Sequence, residues 1–108
     1  MPAKGKIVVL TSCASRKEAQ KIARSLVERR LAACVNISTA PVHSIYRWKG
    51  KLETAREFLL VIKTSRARFV AVERAIGQLH SYDVPEIIAF PIAAGSRAYL
   101  DWLAKNIG

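Results

Sequence analysis

Acidic side chains are scarce here: eight Asp and Glu stand against eighteen Lys and Arg in 108 residues, a formal net charge of +10. Cysteine is scarcer still. Cys13 and Cys34 are too few for a disulfide framework and read as small, packed thiols. The two histidines, His43 and His80, stand far apart, and no CxxC or HxxxH spacing offers a self-contained metal motif. No apolar run exceeds strand length; "FLLVI" and "IIAFPI" are too short to cross a bilayer. At the N-terminus "MPAKGKIVVLTSC", Thr11 and Ser12 end the apolar run too early for a secretory signal, which points to a cytoplasmic protein. A glycine loop that could cradle phosphate is missing as well.

What is present is apolar and basic. Hydrophobic residues make up 51% of the chain, enough for one core, and 1–108 reads as a single domain. The positive field would attract polyanions. Yet Lys4, Lys6, Arg16, Lys17, Lys21, Arg24, Arg47, Lys51 and Arg66 are scattered without a cluster, as on a solvated surface. The string "EFLLVIKT" also lacks the basic-glycine-aromatic opening of an RNA-reading strand, so nucleic acid is not the expected partner.

Periodicity gives the order of elements. "KIVVLTSC" reads as a strand, and Ser15 with Glu18 forms a capping-box pattern at the start of a helix. Ala19, Ile22, Ala23, Leu26 and Val27 form its apolar stripe. "ACVNISTAPVHSIYRWKG" reads as a second strand bent at Pro41, with Gly50 in a tight turn. In the returning strand "LETAREFLLVIKTS", Phe58, Leu60 and Ile62 share one face, and Glu57, Leu59, Val61 and Lys63 share the other. Ser65 is the expected cap of a second helix with Phe69, Val72, Ile76 and Leu79 as its stripe; "PEIIAFPI" and a helix opened by Ser96 follow. The sum is an α+β chain, the βαββαβ order of ferredoxin-like folds with a C-terminal helix. Its sheet has an apolar second face, which implies self-association.

The chemistry concentrates in "HSYDVPEIIAFPI". His80, Tyr82, Asp83 and Glu86 crowd together, and Pro85 fixes the approach to the strand. As a metal site the set offers one imidazole and carboxylates, to be completed by the fold or a second subunit. Cys34 with His80 could be drawn as nucleophile and base, but Cys34 sits inside a strand pattern and a packed thiol is favoured. Tyr46 and Trp48 alternate onto one face and could stack a ligand or simply pack. Glu57 and Lys63 could pair or line a pocket.

Taken in order, "RLAACVNI", "SIYRWKGKLE", "LLVIKT", "HSYDVPEIIAFPI" and "YLDWL" resemble the CutA divalent-cation tolerance family from Ile7 to Leu103. The resemblance implies a ferredoxin-like subunit in a tight, PII-like homotrimer associated with tolerance of copper or another divalent cation, and no enzyme activity. It carries the family's loop pattern to His80, Tyr82, Pro85 and Glu86, with Ser81 where a proline is usual. His80 is the one metal ligand transferred. Leu79 and Thr11 stand where some members have a second histidine and a cysteine, with Cys13 two residues beyond Thr11. Tyr46, Trp48, Glu57, Lys63, Tyr82 and Glu86 are implied as the lining of an intersubunit pocket for a metal or a small anionic ligand drawn by Lys63. The expectation is a non-catalytic metal-response protein; a PII-like sensor or scaffold is the alternative.

Overall fold

The computed structural model describes residues 2–108; Met1, the first residue of the expected 1–108 domain, lies outside the described residues. Five strands and three helices follow one another: β1 (Lys6–Cys13), α1 (Arg16–Glu28), β2 (Cys34–Ile37), β3 (Val42–Trp48), β4 (Lys51–Ser65), α2 (Phe69–Leu79), β5 (Ile88–Pro91) and α3 (Arg97–Lys105). The sheet is antiparallel in the order β2–β4–β1–β5, and β3 continues along β4 beyond the end of β2. This is the expected ferredoxin-like arrangement, with the second strand broken in two at 38–41, around Pro41. The arm turns through Lys49 (φ 50°) and Gly50 (φ 80°), the two left-handed residues of a tight two-residue hairpin.

Residues opposite one another on neighbouring strands share a face, so the register sorts the side chains. Ile7, Val9 and Cys13 of β1 and Leu60 and Ile62 of β4 turn toward the helices and meet Ala19, Ile22, Leu26, Val72 and Ile76 in the core. Val27 extends the expected stripe of α1 but is 41% exposed, because it lies at the rim of the helix's buried face. Ser65 does not cap α2. It remains a rung of the β1–β4 ladder opposite Lys6, and a 3₁₀ turn at Arg66–Arg68 intervenes before the helix. "PEIIAFPI" contracts to the four-residue edge strand β5.

The second face of the sheet carries Val8, Leu10, Leu59 and Val61, flanked on β5 by Ile88 and Phe90. Among the described residues none covers its β5 side: Ile88 is 46% and Phe90 50% exposed. At the opposite side α3 brings Tyr99 against Cys34, where burial and the neighbouring thiol raise the phenol above its ordinary range. The β3–β4 arm stretches the molecule to 45 × 25 × 25 Å and holds Ile45, Tyr46, Trp48 and Leu52 out to solvent.

Candidate functional site

His80 ends α2, and its side chain is fully enclosed. Its Nε2 lies 2.7 Å from the Ser12 carbonyl oxygen, which can only accept, so Nε2 carries the proton and donates. Nδ1 is then the lone-pair nitrogen and accepts the Tyr82 N–H at 3.1 Å. One imidazole thereby ties the end of β1 to the loop before β5.

Nδ1 also faces Glu18 Oε2 at 3.8 Å, and the donor atoms of Cys13, Glu18 and His80 lie within 4.8 Å of one another. Glu18 reaches this cluster because its capping box forms only in part. Its N–H donates to Ser15 Oγ, while its carboxylate Oε1 accepts the Ser81 N–H at 3.0 Å. Oε2 is buried without a hydrogen-bond partner. Burial and the Glu18 charge push the Cys13 thiol up to about 12.

These donors fit a borderline divalent cation in kind: one sulfur, one nitrogen and one carboxylate oxygen. The Nε2–H bond to Ser12 is also the outer contact that commonly orients a ligating histidine. An ion would have to displace the thiol proton and compete with the Tyr82 N–H for Nδ1. Sequence reasoning found His80 but not Glu18, whose place in a capping pattern explained it already. Thr11 is fully buried on the helix side of β1, and Leu79 packs against the core.

The Cys13 shift has a measurable consequence. Below its ordinary value of 9.0 the thiol is protonated in both folded and unfolded chains. Between 9.0 and about 12 only the unfolded chain gives up the proton, so stability falls as pH rises through that window. Tyr82, raised above its ordinary 10.0, adds a loss of the same sign at higher pH. Melting temperature is expected to drop from about pH 8.5 to about pH 10, and Cys13→Ala to flatten that drop. An equal slope in the variant would contradict it.

Beyond His80 a cavity of about 610 Å³ opens between the arm, the end of β1 and the loop 81–87. Of the six residues expected to line a pocket, Tyr46, Trp48, Glu57, Tyr82 and Glu86 do so, joined by Ser12 and Asp83. Glu57 is 7% exposed. Its Oε2 accepts the Tyr82 hydroxyl at 2.9 Å and the Ser12 hydroxyl at 3.3 Å. Burial, together with the hydrogen bond to Glu57 and its charge, raises Tyr82.

Lys63 does not join this cavity. It shares a face with Glu57 but stands six residues along β4, where its ammonium donates to Asn36 Oδ1 and lies 3.9 Å from Cys34 Sγ. Within one chain Glu57 and Lys63 therefore do not pair, and the chain's own Lys63 is not part of this wall. Cys34 lies on the edge strand β2, whereas His80 at the end of α2 meets the Ser12 carbonyl of β1, which removes the nucleophile–base pairing.

A ferredoxin-like α+β domain with an open apolar sheet face, a projecting two-stranded arm and a pocket at its root defines the class of fold. Residues 7–106 match the CutA1 divalent ion tolerance protein model, and the chain belongs to that family. It is 50% identical over 101 residues to the divalent-cation tolerance protein CutA of Thermus thermophilus, covering 94% of this chain and 97% of that one. Human CutA is 44% identical over 94 residues, 87% of this chain and 52% of its own length. Among solved structures, the Thermus thermophilus cation tolerance protein superposes with a TM-score of 0.92 at 48% identity, covering 95% and 99% of the two chains. The Archaeoglobus fulgidus protein, described as periplasmic, gives 0.91 at 38% identity, covering 95% and 99%. No helix among the described residues is long and apolar enough to cross a membrane.

Proposed function

We propose that the chain is one domain of a homotrimeric, non-catalytic divalent-cation response protein, with copper the first ion to test and the cytoplasm its compartment. The observation that carries this reading is the uncovered sheet face. Val8, Leu10, Val61, Ile88 and Phe90 form one apolar surface, and the arm projects further apolar side chains beyond it. Exposed apolar area of this extent favours association. A neighbouring copy laid on that face would put the cavity at a subunit junction, as the family resemblance implies. Two unpaired cysteines suit a reducing compartment. Absence of catalysis is supported by the Cys13–His80 arrangement, which holds the thiol protonated and the imidazole bound on both nitrogens.

Cation binding at Cys13, Glu18 and His80 must release the thiol proton. Calorimetric titration of chelator-treated protein with Cu²⁺ and Zn²⁺ is expected to show saturable binding, about tenfold tighter per pH unit over the neutral range. Cys13→Ala is expected to remove that slope. Binding without pH dependence, or unchanged in Cys13→Ala, would place the ion elsewhere. The second reading, a PII-like small-ligand sensor or scaffold, is favoured by the aromatic-lined cavity.

A further inference from the structure

We propose that the outer face of the helix layer, built by α1 and the segment 66–79, binds the phosphate backbone of a duplex nucleic acid without reading its sequence. The proposal is independent of the cation cluster and of the cavity, and it uses the side of the sheet that assembly leaves free.

The fold sorts charges that look scattered along the sequence. Residues 16–30 and 66–79 hold nine Lys and Arg against three Glu, six of the ten net positive charges. On α1, Lys17, Lys21 and Arg24 recur at i, i+4 and i+7, so they form one stripe opposite the buried Ala19, Ile22 and Leu26. On α2, Arg74 is exposed on the side away from Val72, Ala75 and Ile76. Both helices pack on the same side of the sheet, so their outer faces look the same way. The acids do not follow. Glu18 turns inward to the Ser81 N–H, which leaves Glu28 and Glu73 on this layer. The other five acids stand on β4, in the loop 81–87 and on α3.

Pairing is the second observation. Among the described residues the one ion pair joins Glu18 to His80, and no lysine or arginine meets a carboxylate. Arg16 and Arg30 are spent within the chain, on the Thr39 and Lys105 carbonyls. The side chains of Lys17, Lys21, Arg24, Arg29, Arg66 and Arg74 have no partner among the described residues, and all six are exposed. A merely solvated helix face carries alternating signs that offset one another. Like charges at i and i+4, as at Lys17 and Lys21, repel instead, and a polyanion relieves that repulsion.

The lining selects the polyanion. Seven of the nine cations are arginines, whose planar forks match phosphate oxygens two at a time. The 13 residues of α1 span about 20 Å, and a duplex presents one charge per about 1.7 Å of its axis, so the stripe can meet several phosphates. Phe69 is the single aromatic residue of the two segments, and it packs against the core. The face therefore offers no ring on which unpaired bases could stack. Its exposed large apolar side chains are two separate valines, Val27 and Val70, too little to anchor in a membrane interface. The missing RNA-reading string on β4 concerns the sheet, not this layer. Copies joined through their sheet faces turn their helix layers outward, so each copy keeps this surface.

The test is fluorescence anisotropy of a short labelled duplex titrated with the wild-type protein, in KCl from about 50 to about 200 mM. A second duplex of unrelated sequence, the matching single strand and phosphatidylglycerol vesicles are the comparison probes. Dissociation constants near micromolar are expected at the lowest salt, equal for the two duplexes. The logarithm of the association constant is expected to fall against log salt with a slope of about −4, since each of four to five phosphates contributes about −0.9. Lys21→Glu with Arg24→Glu is expected to weaken binding about tenfold or more. Lys4→Glu with Lys51→Glu, an equal change of charge away from the helix layer, is expected to weaken it no more than about twofold. Lys21→Gln with Arg24→Gln repeats the reading should the charge-reversed pair fail to fold. The proposal is overturned if the duplex does not bind, or if the two charge-reversed pairs weaken it equally, which would leave only the net charge at work. It is also overturned if a folded Lys21 and Arg24 variant binds as the wild type does, or if the single strand or the vesicles bind more tightly than the duplex.

Discussion

Replacing His80 by alanine is expected to destabilise the protein by about 3–5 kcal/mol in chelator-treated buffer, with no metal involved. The imidazole is fully enclosed and serves two backbone groups at once, the Ser12 carbonyl and the Tyr82 N–H. Its loss leaves both without that partner, at about 1–3 kcal/mol for each group that stays dry, and opens a cavity where a ring had packed. The loop 81–87 would then lose its tie to β1, and with it the placement of Tyr82 against Glu57. Urea unfolding at one fixed protein concentration measures the effect. A shift below about 1 kcal/mol would mean that the ring is not a structural joint. The same variant warns against a shortcut: lost metal binding in His80→Ala would not by itself identify a ligand.

The second large effect is on assembly. Phe90 lies on the edge strand β5, half exposed, opposite Val8 on the uncovered face. In a lone subunit Phe90→Glu leaves its carboxylate in water and costs little. Against a neighbouring copy the same carboxylate would be buried without a partner, at several kcal/mol per subunit. The variant is therefore expected to sediment as a single 12.0 kDa chain with an unchanged far-ultraviolet circular dichroism spectrum. An assembly that survives the substitution would move the interface off this face.

Much of this architecture was legible because it rests on local rules. Ser15 caps α1 and Ser96 caps α3, as their positions before apolar-periodic segments suggest. The break at Pro41 and the turn at Gly50 follow from residues with restricted or permissive backbones. Alternation also placed Tyr46 and Trp48 on one face of β3 and Glu57 on the face of β4 opposite Leu60 and Ile62, and these meet Tyr82 and Glu86 in one cavity.

The errors came where distance along a strand mattered. Glu57 and Lys63 share parity, but six residues at about 3.3 Å each put them about 20 Å apart. Parity gives the face and says nothing of the position along it. Glu18 was missed for another reason: its hydrogen bond to Ser81 spans 63 residues, and a local capping pattern already accounted for it. Ser65 shows the ladder overriding a capping signal, since its pairing with Lys6 keeps it in the strand. The two hydroxyl partners of Glu57, Ser12 and Tyr82, had no sequence signature at all; they come together only when β1, β4 and the loop 81–87 meet.

Assembly of copies through the open sheet face underlies the placing of the cavity at a subunit junction. Sedimentation equilibrium of the wild-type protein at micromolar concentration tests it most directly. A mass of three times the 12.0 kDa chain, independent of dilution across that range, is expected. A single-chain mass at all concentrations would contradict it and leave the apolar face exposed in the working protein.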